Sequence, residues 1–339
     1  MDDSTLGTRN KRGDWAPNRR VEYAPLFAWP PKPGKTLRWL FGFPGYIWPW
    51  NLFYAGLATL SWFVATPSIP TMRHFAVGWI AIILVRNAAL IVCWYGVFHL
   101  RLYMRRAQGN RFKYNGHWPA AESQFFTLGS QIRDNMFWTL ASGLPMWTAY
   151  EALTMWMLAN GHLPMMRWAS NPVGFVALML FIPLFREFHF HWVHRMIHWP
   201  PLYKYVHSLH HRNINPGPWS GLSMHPVEHL FYFSCVLLHW IIPSHPIHAM
   251  FNLFHAGLSP VPGHTGFEKV ELSEKATIDT SGLAHYLHHK YFEVNYSDGA
   301  IPLDKWFGSF HDGSPEADEI MQIRLTARSA RAAAKHGAS

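Results

Sequence analysis

Phe185-Arg186-Glu187-Phe188-His189-Phe190-His191-Trp192-Val193-His194-Arg195-Met196-Ile197-His198 is where an apolar run, begun near Val173, gives way to histidines at helical spacing. Residues three and four apart share one face of a helix, so His194 and His198 point the same way, with Glu187 and His191 beside them. Two further groups follow, His207-Ser208-Leu209-His210-His211 and His285-Tyr286-Leu287-His288-His289. On a helix the HxxHH pattern brings three imidazoles within about 100° of arc. Of 23 histidines, 17 fall between His189 and His289. Eight imidazoles from three helices suffice for two metal ions with open coordination positions, whereas one ion needs three or four. Imidazole suits iron, zinc and copper alike.

Outward from the boxes, the chain is built for a bilayer. Charged residues make up 14% of its 339 residues and aromatics 16%, with 18 Trp; a soluble domain carries about 25% charged residues. Four segments are apolar enough to span: Ile47 to Thr66, Phe75 to Leu100, Met136 to Leu158, and a shorter one from Val173 to Phe185. A fifth, Leu230 to Leu258, is broken by Pro243 and Pro246 and reads as a re-entrant hairpin or two short helices. The expected fold is an all-α integral-membrane protein with about four transmembrane helices and a cytoplasmic histidine-box cap. Its regions are a basic N-terminal segment (1–46), the transmembrane part (47–186), the histidine-box region (187–312, with its apolar hairpin near 230–258) and a mobile or loosely helical tail (313–339). No cleavable leader is visible, so the first apolar segment is expected to direct its own insertion. Cys93 and Cys235 sit in apolar runs and read as small buried hydrophobes.

The net charge of +9 belongs to basic residues flanking apolar stretches, which suits phospholipid headgroups and not nucleic acid. Lys and Arg alternate 8, 1, 6, 1 across the segments before and between the four spans, counted from Arg9 through Arg38, then Arg73, then Arg101 through Arg133, then Arg167. By the positive-inside rule both termini are cytoplasmic.

The chain resembles the sterol desaturase and fatty acid hydroxylase superfamily of membrane oxygenases. The resemblance is carried by Trp192 to His198, Leu202 to His207 with His210-His211, Met224-His225-Pro226-Val227-Glu228, Gly263-His264-Thr265-Gly266-Phe267-Glu268, the third box, Phe292 to Tyr296, and Trp306-Phe307-Gly308-Ser309. It covers about 187 to 310 and is greatest to the sterol C-5 desaturase-like bacterial branch. It implies two non-haem iron ions held by the eight box histidines, molecular oxygen as co-substrate and a lipid or sterol-like substrate that is hydroxylated or desaturated. Electrons would come from a separate protein of cytochrome b5 or ferredoxin type, and the membrane would be a bacterial inner membrane or the endoplasmic reticulum.

The resemblance also draws in residues outside the boxes. His264 and Glu268 resemble an HxxxH pair that supplies ligands in the fatty acid 2-hydroxylases, with a carboxylate replacing the second imidazole; His264 is the candidate ligand, Glu268 a ligand or a group orienting one. His225 and His229 are reserve candidates. His191 stands where relatives carry an aromatic, and Glu187 where they carry Asp; His191 is open as an added ligand, an orienting group or a surface residue. His189, His239, His245, His248 and His255 lack box spacing and read as core or interfacial. The rival reading is a His-rich membrane zinc protein. Transporters carry looser histidine tracts or polar ligands within their spans, and a zinc hydrolase needs a base as in HExxH, which is missing. Reporter fusions test the topology: tags at either terminus are expected to read cytoplasmic and tags beside Arg73 or Arg167 to read external, and an external C-terminus contradicts the charge reading.

Overall fold

The computed structural model describes residues 2–297 and 299–337, with side chains described through 330. Helices dominate, at positions set by the apolar segments: Leu52–Ala65, Val77–His99 carried on through Leu100–Met104, Gln131–Trp138 joined through Thr139–Gly143 to Leu144–Ala159, and Pro172–Ile197. Two of these, Val77–Met104 and Pro172–Ile197, are long and apolar enough to cross a bilayer. Only 28% of the most apolar window of each is buried. A soluble core helix hides such side chains; here Val85, Val92, Val97, Val173, Val176 and Phe181 face outward. Cys93 joins them on the exposed face, contrary to the buried role expected, while Cys235 is buried.

Pro172–Ile197 starts on an Asn171 cap, whose Oδ1 accepts the Gly174 N–H at 2.9 Å, with Pro at the first position where its missing N–H costs nothing. The helix runs unbroken past 186, so the apolar part and the first histidine box are one rigid element.

The apolar stretch broken by two prolines becomes short helices from Pro226 to Ile241, then the helix Pro246–Leu258. All thirteen residues of Pro246–Leu258 are buried, packed mainly against Leu52–Ala65, Pro172–Ile197 and Leu144–Ala159. It is therefore the central helix of the bundle. Its start is fixed by His245, whose Nδ1 accepts the Ile247 N–H, and by His248, whose Nδ1 accepts the His245 N–H. These two histidines are helix caps, which accounts for their lack of box spacing.

Two departures from an all-α fold appear as small antiparallel hairpins: Gly7–Arg9 with Trp15–Pro17, and Lys269–Glu271 with Thr277–Asp279, where Val270 pairs with Ile278. The N-terminal segment folds onto the histidine-box layer. Trp15 packs edge-on against Phe112, and Arg19 bridges to Asp279 at 2.6 Å. The tail read as mobile or loosely helical is the helix Pro315–Gly337, with residues 338 and 339 outside the described residues. Met321 is buried beside Leu283 and Leu287, and the Tyr291 hydroxyl donates to Asp318 at 2.5 Å, which docks its start onto the third box.

Arg86 and Glu151, charged residues within apolar helices, form a direct ion pair. Asn87 Nδ2 donates to the second Glu151 oxygen at 3.0 Å, and Arg86 also donates to Thr66 at 2.9 Å. Breaking a buried pair strands one charge and costs about 3–5 kcal/mol. Arg86→Glu and Glu151→Arg are each expected to lower the melting temperature in detergent, and the double reversal to recover part of the loss. A double variant no better than the worse single one contradicts the pairing.

Candidate metal centre

His194 lies in the last turn of Pro172–Ile197 and His198 at its C-terminal cap. The chain turns at Pro200 and enters a wide helical turn, Tyr203–His207, in which the Ser208 N–H reaches back to the Tyr203 carbonyl, before the tighter turn Ser208–His211. Such i to i+5 turns insert one residue and change the angular relation of side chains on either side. The third box lies on Leu283–Tyr291.

The boxes do not each present a single face to a single point. Two groups form, His194, His198, His207, His211 and His288 in one, and His210, His264, His285 and His289 in the other; within each, one ligand atom per residue lies within 4.8 Å of the rest. Residues four apart, His207 with His211 and His285 with His289, stay together. The odd member of each HxxHH, His210 or His288, crosses to the other group. Both boxes therefore tie the two groups to each other.

Within the groups the Nε2 atoms converge. His211 lies 3.2 Å from His198 and 3.1 Å from His288, and His285 lies 2.9 Å from His264 and 3.1 Å from His289, Nε2 to Nε2. Imidazole nitrogens bound at about 2.1 Å to one ion, at angles between 90° and tetrahedral, stand about 3.0–3.4 Å apart, so the spacing fits. The opposite nitrogens are held from behind. Nδ1 of His194 meets the Tyr296 carbonyl at 2.9 Å, of His210 the Ser223 carbonyl at 3.3 Å, of His264 the Pro260 carbonyl at 2.8 Å and of His288 the Val294 carbonyl at 2.6 Å. A carbonyl only accepts, so each Nδ1 carries the hydrogen and each Nε2 offers a lone pair inward. His207 Nδ1 meets Glu228 Oε1 at 2.8 Å, a carboxylate behind an imidazole, while its buried Nε2 has no hydrogen-bond partner. A divalent ion of nitrogen preference fits this donor set.

The carbonyls behind His288 and His194 depend on backbone that most residues avoid. Phe292 has φ +66° and Asn295 φ +52°, both left-handed. They fold the chain after the third box so that Val294 and Tyr296 aim their carbonyls back at the cluster, a local strain of about 1–3 kcal/mol each that the packed surroundings carry.

Other candidates are placed elsewhere. Glu268 is not in either group: Tyr114 donates its hydroxyl to one carboxylate oxygen and Arg19 pairs with the other. Gly266, at φ +75°, breaks the helix that an i, i+4 pairing with His264 requires. His225 caps Pro226–Phe233, its Nδ1 accepting the Val227 N–H at 3.2 Å. His229 spends both nitrogens on Ser142 Oγ at 2.9 Å and the Leu222 carbonyl at 3.1 Å. His191 is fully buried, so it is no surface group, and stands 3.9 Å from Asp304. Asp304 accepts the Tyr296 N–H at 2.9 Å, which links His191 to the loop behind His194 and not to a metal position. Glu187 accepts the Gly299 and Ile301 N–H groups, pinning the same loop. Glu228 is the group that sequence reasoning quoted without a role; its signal was position, 21 residues after His207 and three after His225.

Five members of the cluster, His194, His207, His210, His264 and His285, line one cavity of about 270 Å³, whose wall also includes Tyr46, Trp50, Tyr54, Phe190 and Tyr232. The cavity thus touches both groups and opens among apolar helices.

Residues 179–309 match the fatty acid hydroxylase family. The chain is 30% identical over 145 residues to a Delta(7)-sterol 5(6)-desaturase of Gibberella zeae, covering 40% of this chain and 42% of that one. It is 30% identical over 156 residues to one of Aspergillus fumigatus, covering 40% and 49%. A third, of Eremothecium gossypii, is 27% identical over 150 residues, covering 43% and 42%. The chain spans half or less of the length of these curated relatives. No solved structure matches it.

Burial holds His207, His210, His211, His285, His288 and His289 well below the usual histidine pKa, and His198 at about 2. The neutral form binds metals. In the metal-free chain the folded state stays neutral below pH 6.5 while the unfolded state takes up protons, so stability falls as pH drops through that value, by about 1.4 kcal/mol per pH unit for each group. Chelator-treated protein is expected to melt at a clearly lower temperature at pH 5.5 than at pH 7.5. Melting independent of pH over that range contradicts the buried neutral cluster.

Proposed function

We propose that the chain is a member of the sterol desaturase and fatty acid hydroxylase superfamily and, from that premise, that it is a membrane-bound oxidoreductase that uses O2 to hydroxylate or desaturate a lipid or sterol-like substrate. The observation that carries the reading is the shared cavity, which is lined by members of both histidine groups and by aromatic side chains. His194, His198, His207, His211 and His288 would hold one iron ion, and His210, His264, His285 and His289 the second. When bound, the iron pair would activate O2, the oxidant, so that hydrogen can be taken from an unactivated C–H bond, which neither imidazole nor carboxylate can do.

The protein's own contribution is geometric. The backing carbonyls and Glu228 keep the Nε2 lone pairs aimed inward, so the ligand set is formed before anything binds. The aromatic side chains of the wall, Trp50, Phe190 and Tyr232 among them, help exclude water and orient a hydrophobic substrate with one carbon toward the histidines. The four helical runs are read as four spans, with both termini and the boxes on the cytoplasmic side. Nothing in the sequence resembles a GxGxxG fingerprint or a CxxCH haem attachment, so electrons are assigned to a separate donor of cytochrome b5 or ferredoxin type.

Lipid extracts of cells with and without the gene, compared by mass spectrometry, are expected to differ by a species with one oxygen gained or two hydrogens lost. His198→Ala and His285→Ala, one from each group, are each expected to abolish that species. Glu228→Gln is expected to weaken metal retention roughly 10–100-fold. Zinc-loaded protein with no O2 consumption on reduction, and identical extracts, would favour the zinc-binding alternative.

A further inference from the structure

Away from the histidine groups, the polar side chains on the wall of the same cavity include Asn51, Tyr54 and His255, beside Arg186, which donates to the Tyr232 hydroxyl at 2.8 Å. Asn51 and Tyr54 lie where the chain enters Leu52–Ala65, and His255 lies on the central helix Pro246–Leu258. Their hydrogen bonds fix what each can offer. Asn51 Nδ2 donates to the Tyr46 carbonyl at 2.8 Å, which turns Oδ1 toward His255. His255 Nε2 lies 2.9 Å from that oxygen, so Nε2 carries the hydrogen. The ring is 8% exposed, held among Tyr54 and Phe251, and is neutral in such surroundings. Its Nδ1 is then a lone-pair acceptor. That atom is buried and has no hydrogen-bond partner.

Next to it, Tyr54 is 1% exposed, its ring centroid 5.4 Å from that of His255, and its hydroxyl also has no hydrogen-bond partner. A buried polar atom left unpaired is costly, and two side by side on a cavity wall mark a place that a ligand completes. The pair offers one acceptor, His255 Nδ1, and one group free to donate, the Tyr54 hydroxyl. A carboxylate or ketone, which only accepts, cannot satisfy the imidazole. An alcohol does both: its O–H donates to Nδ1 and its oxygen accepts from Tyr54.

We propose that Tyr54 and His255, with Asn51 setting the tautomer, form a recognition site for a hydroxyl group on the substrate. The proposal rests on the lipid-oxygenase reading and deepens it: the substrate is an alcohol before it is oxidised, its hydroxyl bound on this wall while a carbon elsewhere in the molecule faces the histidines. Tyr54 and His255 are positioning residues, and His255, which lacks box spacing, acquires a role apart from the metal ligands.

Two probes differing only in the hydroxyl test it, cholest-7-en-3β-ol and its 3-deoxy analogue cholest-7-ene, with binding measured on the purified full chain. The intact protein is expected to bind the alcohol roughly tenfold more tightly than the hydrocarbon. Tyr54→Phe, which removes one oxygen and keeps the ring, is expected to bring that ratio close to one through loss of affinity for the alcohol, at unchanged metal content. His255→Phe is expected to do the same, and the ratio measured on intact protein needs no variant to fold. Equal binding of the two probes by the intact protein, or a ratio unmoved in Tyr54→Phe, overturns the proposal while leaving the sterol-like substrate class standing. Binding of neither probe removes that class and the proposal together.

Discussion

Nine imidazoles packed against one another, eight of them buried and His198 half-buried, are the constraint from which the rest of the molecule follows. Their Nε2 atoms approach to about 3 Å with lone pairs facing, an arrangement that a dry interior penalises at every unpaired nitrogen. Two cations would remove that penalty at once, and the nitrogen spacing suits them. The cluster therefore makes sense only with its far nitrogens fixed, and the structure commits carbonyls of Pro260, Ser223, Val294 and Tyr296, and the Glu228 carboxylate, to that task.

The helices answer to the same demand. Pro172–Ile197 runs from the apolar layer into the cluster without a break, so His194 is carried on the element that also faces lipid. The wide turn at Tyr203–His207 and the two left-handed residues, Phe292 and Asn295, are irregularities placed where a box must be turned or a carbonyl brought back. The buried helix Pro246–Leu258 closes the far side of the cavity and brings His255 to its wall. Dynamics are restrained by the same features: the N-terminal segment and the start of the C-terminal helix are tied down through Arg19 and Asp318, so the histidine layer is braced from both ends of the chain.

Much of this was legible in the residues. Spacing of three and four identified the boxes because the helix period is the one regularity a sequence displays directly. The apolar runs located the helices. The partition of nine histidines into five and four was not legible, since it depends on how three helices are rotated relative to one another, and on an inserted residue in one turn. His264 came from resemblance, not spacing. Glu268, read as a ligand or a group orienting one, stands outside both histidine groups, because Gly266 at φ +75° makes a turn and hands the carboxylate to Arg19 and Tyr114. The C-terminal helix read as mobile or loosely helical because its composition is charged and Ala-rich; what docks it is the buried Met321, the Tyr291 hydroxyl on Asp318 and scattered ion pairs such as Lys290 with Asp318, signals too sparse to register in composition.

The measurement closest to the central claim is metal stoichiometry joined to X-ray absorption at the metal edge on purified protein. The account predicts two iron ions per chain, one for each histidine group, with coordination dominated by imidazole nitrogen at about 2.1 Å. One ion per chain, or a shell dominated by sulfur or by carboxylate oxygen, would contradict it.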